Sequence, residues 1–262
     1  MADKTNIEWT DSTFNPWWGC DPVSPGCDNC YAKALDRRTG GNYWDPYVDP
    51  RTMAESNWKK PLRWQRKAES FINEHGHNQR IFCGSMCDVF DNSAPEGQRN
   101  RLWDVIKSTD QLHWQLLTKR APNIKRFLPV DWGNGYPNVW LGVTVENKKH
   151  GLPRIDILRD TPAFIRFLSV EPLLEDIGAI DLSGIDWVII GGESGPGARP
   201  LQRFWVDSVI RQCREQAVPV FFKQWGAIIG KGGCVINGTT IKEWPRKSTV
   251  ISRDRQELTD NV

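Results

Sequence analysis

The chain has 262 residues with a formal net charge of +2, and 39% of it is hydrophobic and 25% charged, which suits one large α/β domain with a sizeable core. No apolar run approaches the ~18–20 residues of a membrane span, so no membrane-spanning segment is expected, and a balance this close to neutral excludes a histone-like polycation. Seven cysteines are an odd number for a disulfide framework.

In chain order, the N-terminus Met1-Ala2-Asp3-Lys4-Thr5-Asn6-Ile7-Glu8 is polar and lacks the apolar core of a secretory signal, which predicts a cytoplasmic protein with reduced thiols. Cys20, Cys27 and Cys30 follow as C-x6-C-x2-C in a loop punctuated by Pro16, Gly19, Pro22, Pro25 and Gly26. Such a loop can wrap around a centre. Two thiolates two residues apart can reach one site, and a third upstream completes a three-point mount for a [4Fe–4S] cluster whose fourth iron stays open. The alternative is a zinc site completed by His75 or His77. Cys83 and Cys213 lie in apolar runs and read as small hydrophobes, Cys87 follows a strand, and Cys234 carries no signal.

Residues 31–79 are rich in Trp, Arg, Asn and Pro and read as an elaborated first helix and its connection. Within them, Trp58-Lys59-Lys60-Pro61-Leu62-Arg63-Trp64-Gln65-Arg66-Lys67 interleaves cations and rings, which suits either a nucleic-acid surface or the solvated basic face of an amphipathic helix. With 14 tryptophans in the chain, some rings are expected to line a site and the rest to fill the interior.

From Arg80 onward, β-branched or aromatic runs alternate with helical stretches, the grammar of βα units around a parallel sheet. The runs are 80–84, 114–117, 139–143, 164–168, 187–190 and 218–222, with helices clearest at Glu96–Ser108 and Trp205–Gln216. Each run ends in polar or charged residues: Ser85 and Asp88; Thr118, Lys119 and Arg120; Thr144 and Glu146; Ser169 and Glu171; Glu193 and Ser194; Lys223 and Gln224. In a (β/α) barrel these ends converge on one mouth, where such folds carry their chemistry. Asn237-Gly238 marks a hairpin turn. The domain is expected over 1–245, with a loosely attached tail over 246–262.

Cys20-x6-Cys27-x2-Cys30-Tyr31-Ala32, followed by Ser85-Met86-x-Asp88, Leu117-Thr118-Lys119-Arg120, Gly142-Val143-Thr144-Val145-Glu146, Ser169-Val170-Glu171-Pro172-Leu173-Leu174, Gly191-Gly192-Glu193-Ser194-Gly195 and Phe222-Lys223-Gln224-Trp225-Gly226, resembles the phage-associated three-Cys-motif family, which is radical-SAM-like. More distantly, the cysteine ending and the Ser-x-x-Asp are similar to the spore photoproduct lyase branch of radical SAM enzymes. Two departures stand out. The first cysteine gap exceeds the common C-x3-C-x2-C, and the strand after the cluster loop ends in Ser85-Met86-Cys87-Asp88 where Gly-Gly-Glu is usual.

The resemblance implies a partial (β/α) barrel of the radical SAM type with about six to seven parallel strands. It also implies a [4Fe–4S] cluster and S-adenosylmethionine (AdoMet) as cofactors, an electron donor as partner, and a DNA or nucleotide substrate. A peptide or small-metabolite substrate, and a zinc-stabilised non-catalytic binding module, are the alternatives. On the same basis Asp88 would hold the methionine ammonium with Ser85 and Thr144 beside it. Glu146, Glu171 and Glu193 would meet ribose or substrate hydroxyls, and Lys119, Arg120 and Lys223 would meet anionic groups.

Overall fold

The structure is a computed structural model that describes residues 3–227 and 232–247. Its elements are β1 (Ser12–Phe14), β2 (Trp17–Trp18), α1 (Tyr31–Arg38), β3 (Arg51–Thr52), α2 (Glu55–Arg66), α3 (Ala68–His75), β4 (Arg80–Cys83), α4 (Gln98–Lys107) and β5 (His113–Thr118). They continue with α5 (Ile124–Phe127), β6 (Val139–Thr144), α6 (Lys148–Arg159), β7 (Ile165–Val170), β8 (Trp187–Gly191), α7 (Arg203–Glu215), β9 (Val220–Gln224), β10 (Val235–Ile236) and β11 (Thr239–Thr240).

Seven strands form one sheet in the order β1-β4-β5-β6-β7-β8-β9, and every pairing in it is parallel. The spatial order follows the chain order with no reversal, so the sheet curls into a partial barrel, with β1 and β9 as its two edges. Residues along each strand alternate between the two faces, and the core divides accordingly. Ile81, Trp114, Leu116, Leu141, Leu168, Val188, Ile190 and Phe222 face the helices. Phe82, Trp140, Phe167, Trp187, Ile189 and Phe221 point inward and, with Trp9, pack the barrel interior.

Most of the tryptophans are therefore core. Trp58 of α2 is 2% exposed and meets the Phe14 ring of β1 edge-on at 5.3 Å, and Trp64 is buried one turn and a half later. These two rings cannot stack on a nucleobase, so of the two readings of 58–67 the amphipathic helix is the one observed, with Lys59, Arg63, Arg66 and Lys67 on its exposed face. Gln65 at its end bonds Asp110 and the Gln111 N–H just before β5, whereas Asn57 near its start bonds the Asn15 carbonyl just past β1. The helix thus runs antiparallel to the sheet, and Arg63 and Arg66 lie toward the amino ends of the strands.

The hairpin expected at Asn237-Gly238 is present between β10 and β11, with both turn residues at positive φ, 52° and 78°, as a type I′ turn requires. The expected tail beyond Lys247, and the stretch Ile228-Ile229-Gly230-Lys231 after β9, lie outside the described residues.

Candidate functional site

The carboxyl ends of the strands open on a cavity of about 380 Å³. Lining it are Ser85 and Asp88 after β4; Thr118, Lys119 and Arg120 at the end of β5; Thr144; Ser169 and Glu171; Glu193 and Ser194; and Lys223 and Gln224. Phe82, Leu117 and Trp9 form its apolar floor, and Cys20, Cys27 and Cys30 line the same cavity. The fold thus brings the three cysteines and almost all the predicted strand-end residues to one place. Glu146 is the exception. Its carboxylate is fully buried beside the cysteine loop, paired with Arg154 at 2.6 Å, and is not on the cavity wall. Burial raises its pKa, and the Arg154 guanidinium together with hydrogen bonds to the carboxylate reverses that, leaving it below the usual carboxylate range.

The cysteine loop owes its path to local chemistry. Pro25 starts a single 3-10 turn that ends at Cys27, and Cys30 takes the extended conformation that caps the start of α1. Between them and the barrel wall there is no space to spare: a Cβ on Gly26 would lie 3.2 Å from Lys119 Cε and 3.3 Å from Glu146 Cγ. All three thiols are free and half-buried. Burial, then the Asp88 carboxylate, push the Cys20 thiol far above its ordinary value, so its ionisation calls for a cation at the sulfur.

Among the described residues, no three His, Cys, Asp or Glu groups surround a single metal-ion position. The two histidines proposed to complete a zinc site lie elsewhere. His75 stacks on Phe71 at 4.0 Å, and His77 faces Asp11 at 3.7 Å, both before the amino end of β4. Cys20, Cys27 and Cys30 share the cavity wall with Cys87, and three thiols from one loop suit a group with several metal corners, such as a [4Fe–4S] cluster, whose remaining corner stays open.

The charged residues of the mouth are largely paired with one another. Asp88 accepts from the Thr118 hydroxyl at 2.7 and 2.9 Å, the Lys119 N–H at 3.1 Å and Arg120 at 3.1 Å. Arg120 also meets Asp91 at 2.7 Å and donates to the Asp21 carbonyl. Lys223 is bonded to Glu171. Glu193 is held by Arg199 and Asn29, whose hydrogen bonds overcome the upward push of burial and leave its pKa lowered. Lys119 is the one lining cation with no ion pair among the described residues. Two buried lining oxygens, Thr144 Oγ1 and Gln224 Oε1, have no hydrogen-bond partner among the described residues and are available to a bound molecule. Sequence reasoning missed Arg199 and Asn29: both are polar residues in aperiodic loops, and the contacts that tie them across the site, Arg199 to Pro25 and Asn29 to Glu193, join residues far apart in the chain.

A search of curated proteins finds no match. Among solved structures, a spore photoproduct lyase variant with bound AdoMet and dinucleoside spore photoproduct is similar at 12% identity and a TM-score of 0.40, over 78% of this chain and 61% of that one. The present chain therefore matches less than two thirds of that protein. The sequence model of the family described as protein of unknown function (DUF5131) matches residues 4–253, nearly the full length, and the chain belongs to that family.

Proposed function

We propose that the protein is a radical AdoMet enzyme that carries a [4Fe–4S] cluster on Cys20, Cys27 and Cys30 and acts on a nucleotide-type substrate. The observation that carries this reading is the meeting of three free thiols from one loop with the polar strand ends of a partial barrel around one cavity. When bound, the cluster supplies the electron that cleaves AdoMet to methionine and a 5′-deoxyadenosyl radical.

The chain's own share is binding, orientation and exclusion of water. Thr144 Oγ1 and Gln224 Oε1 offer unspent hydrogen-bonding capacity to the cosubstrate's hydroxyl and amino groups. Ser85 and Asp88 follow β4, the strand paired with β1 ahead of the cysteine loop, with Asp88 also anchoring that loop through Arg120. Phe82, Leu117 and Trp9 close the floor beneath the reacting groups, and an apolar floor keeps solvent from a reactive radical. The Lys223–Glu171 pair presents a proton donor and an acceptor on the opposite wall. Lys119 is left to receive one anionic group, which suits a single nucleotide phosphate rather than a phosphate track.

The test is anaerobic reconstitution with iron and sulfide, followed by iron analysis and visible absorption. About four irons per chain are expected, with loss of the cluster on changing any one of Cys20, Cys27 or Cys30 to Ala. A folded triple variant that keeps its iron, or a chain that takes one zinc in its place, overturns the reading.

A further inference from the structure

Cys27 sits in, and Cys30 just after, a segment with little structure of its own: Ser24–Asn29 contains one 3-10 turn and pairs with no strand among the described residues. The loop after β8 holds Pro25–Asn29 to the barrel, and beside Cys30 the Tyr31 hydroxyl donates to the Ser85 carbonyl at 2.6 Å. Arg199 Nη2 donates to the Pro25 carbonyl at 2.8 Å, and Nη1 reaches Asp28 at 3.3 Å. The same guanidinium closes on Glu193 through Nε at 3.0 Å and Nη2 at 2.7 Å. Asn29 Nδ2 spends both its hydrogens on this loop, donating to Glu193 Oε2 at 2.9 Å and the Gly197 carbonyl at 2.8 Å. Glu193 Oε2 also accepts the Arg199 backbone N–H at 2.9 Å, which folds the loop back onto its own carboxylate.

Cys20 is held by different means. Its neighbour Asp21 donates its N–H to Asp91 at 3.0 Å and accepts from Arg120, both nearly buried at 2% and 8% side-chain exposure. Arg199 is one-third exposed. One end of the cysteine loop is therefore locked into the interior, while the other is fastened by Arg199 on the buried carboxylate of Glu193.

We infer that Glu193 and Arg199 form a clasp that positions the Cys27–Cys30 segment against the barrel, and that opening it frees these two thiols while Cys20 stays in place. The clasp makes Glu193 a positioning residue. Its purpose, admitting and then retaining the cluster, rests on the function proposed above; its action on the thiols does not. Two carboxylate–guanidinium hydrogen bonds and three further bonds to the cysteine loop all converge on Arg199 and Glu193, so removing either member releases the segment without touching the core.

The experiment measures alkylation rates of the individual cysteines in the metal-free chain by iodoacetamide labelling and peptide mass spectrometry. In Arg199→Ala, Cys27 and Cys30 are expected to react about ten-fold faster than in the wild type, equivalent to ~1.4 kcal/mol of lost charge-assisted bonding, with the Cys20 rate and the unfolding midpoint nearly unchanged. Glu193→Gln, which keeps the volume and one acceptor, gives a smaller rise, and Arg199→Lys a partial rescue. Equal rates in the wild type, Arg199→Ala and Glu193→Gln, or a rise shared equally by Cys20, overturns the clasp. After anaerobic reconstitution, iron loss to a chelator is expected to be faster in Arg199→Ala. A wild-type chain that binds no iron while the selective thiol release is observed refutes the cluster and leaves the clasp standing.

Discussion

The Asp88 carboxylate and the Arg120 guanidinium face each other at 3.1 Å with side chains only 9% and 8% exposed. Asp91 meets the same guanidinium at 2.7 Å, so one cation serves two buried carboxylates, and hydrogen bonds from Thr118, Lys119 and Phe90 spread the remaining negative charge. Through the Asp21 carbonyl this group fixes the position of Cys20. Removing Arg120 leaves two carboxylates buried without their cation, so Arg120→Leu is expected to cost ~3–5 kcal/mol in denaturant unfolding. Asp88→Asn turns one acceptor into a donor facing Arg120 and is expected to cost ~1–3 kcal/mol. A loss below ~1 kcal/mol for Arg120→Leu would refute the idea that this group holds the loop.

At the other end of the barrel His113 supplies a pH dependence. Its ring is fully buried, neither nitrogen has a hydrogen-bond partner among the described residues, and it packs 5.4 Å from the Trp140 ring. Burial, then repulsion from Arg80 and His77, lower its pKa to about 3. The unfolded chain, with a histidine pKa of ~6.5, binds more protons than the folded chain between these values. The stabilisation is therefore complete above pH ~6.5 and is lost as pH falls toward 3, at up to ~1.4 kcal/mol per unit. His113→Phe should flatten that slope in denaturant midpoints taken at pH 7, 6 and 5; parallel profiles for the two chains would rule His113 out.

The six runs from Arg80 onward were legible because each is an apolar stretch buried on both faces, which a parallel strand requires. The seventh strand, Ser12–Phe14, has only three residues, two of them polar, and gives no such signal. α6 is disguised by Gly151 and Pro153; it forms because Asn147 caps it at 2.8 Å and Ile155 and Leu158 are buried against the sheet, so packing overrides propensity. The cysteine spacing and the strand-end polar residues locate the cavity from sequence alone. Their pairing is not legible, since Asn29 and Glu193 are 164 residues apart and only the folded sheet brings them together. The tryptophans of α2 leave two readings open in the sequence for a related reason: interleaving with lysine and arginine resembles a binding surface, while at helical spacing it places one residue type inside and the other outside.

The free charge of the mouth sets the expected response to salt. Arg120 and Lys223 are neutralised by carboxylates, which leaves Lys119, and Arg63 and Arg66 lie toward the far end of the barrel. A nucleic-acid ligand entering the cavity should therefore show a log K against log salt slope near that of one neutralised phosphate, about −0.7 to −0.9, and not the several-fold steeper slope of a tracked backbone. Lys119→Ala should abolish the slope, and Arg63→Ala with Arg66→Ala should leave it unchanged. The measurement is fluorescence titration with labelled single- and double-stranded DNA at several ionic strengths. A steep slope reduced by the α2 changes would move the binding surface to that helix.

The Gly191-Gly192-Glu193 sequence has a steric reason that can be tested apart from any ligand. A Cβ on Gly192 would fall 1.9 Å from the Trp225 carbonyl oxygen, more than 1 Å inside the 3.0 Å that real Cβ atoms keep, and that oxygen is backbone and cannot turn aside. The Gly192 N–H also donates to the Gln224 carbonyl at 2.9 Å, so the loops after β8 and β9 cross in direct backbone contact. Gly192→Ala must push them apart, at a cost of ~1–3 kcal/mol, and Glu193, the next residue, moves with the displaced chain. The substitution should therefore lower the unfolding midpoint and also raise the alkylation rates of Cys27 and Cys30, linking a backbone crossing to the cysteine loop through Glu193 and Arg199. Gly191→Ala is the control within the same tripeptide: the nearest atoms to its Cβ would belong to the Glu171 side chain, at 3.2 Å, which can shift with Lys223, so both effects should be smaller. If Gly191→Ala proves the more disruptive of the two, the crossing does not hold Glu193 in place, and the orientation of that carboxylate comes from Arg199 and Asn29 alone.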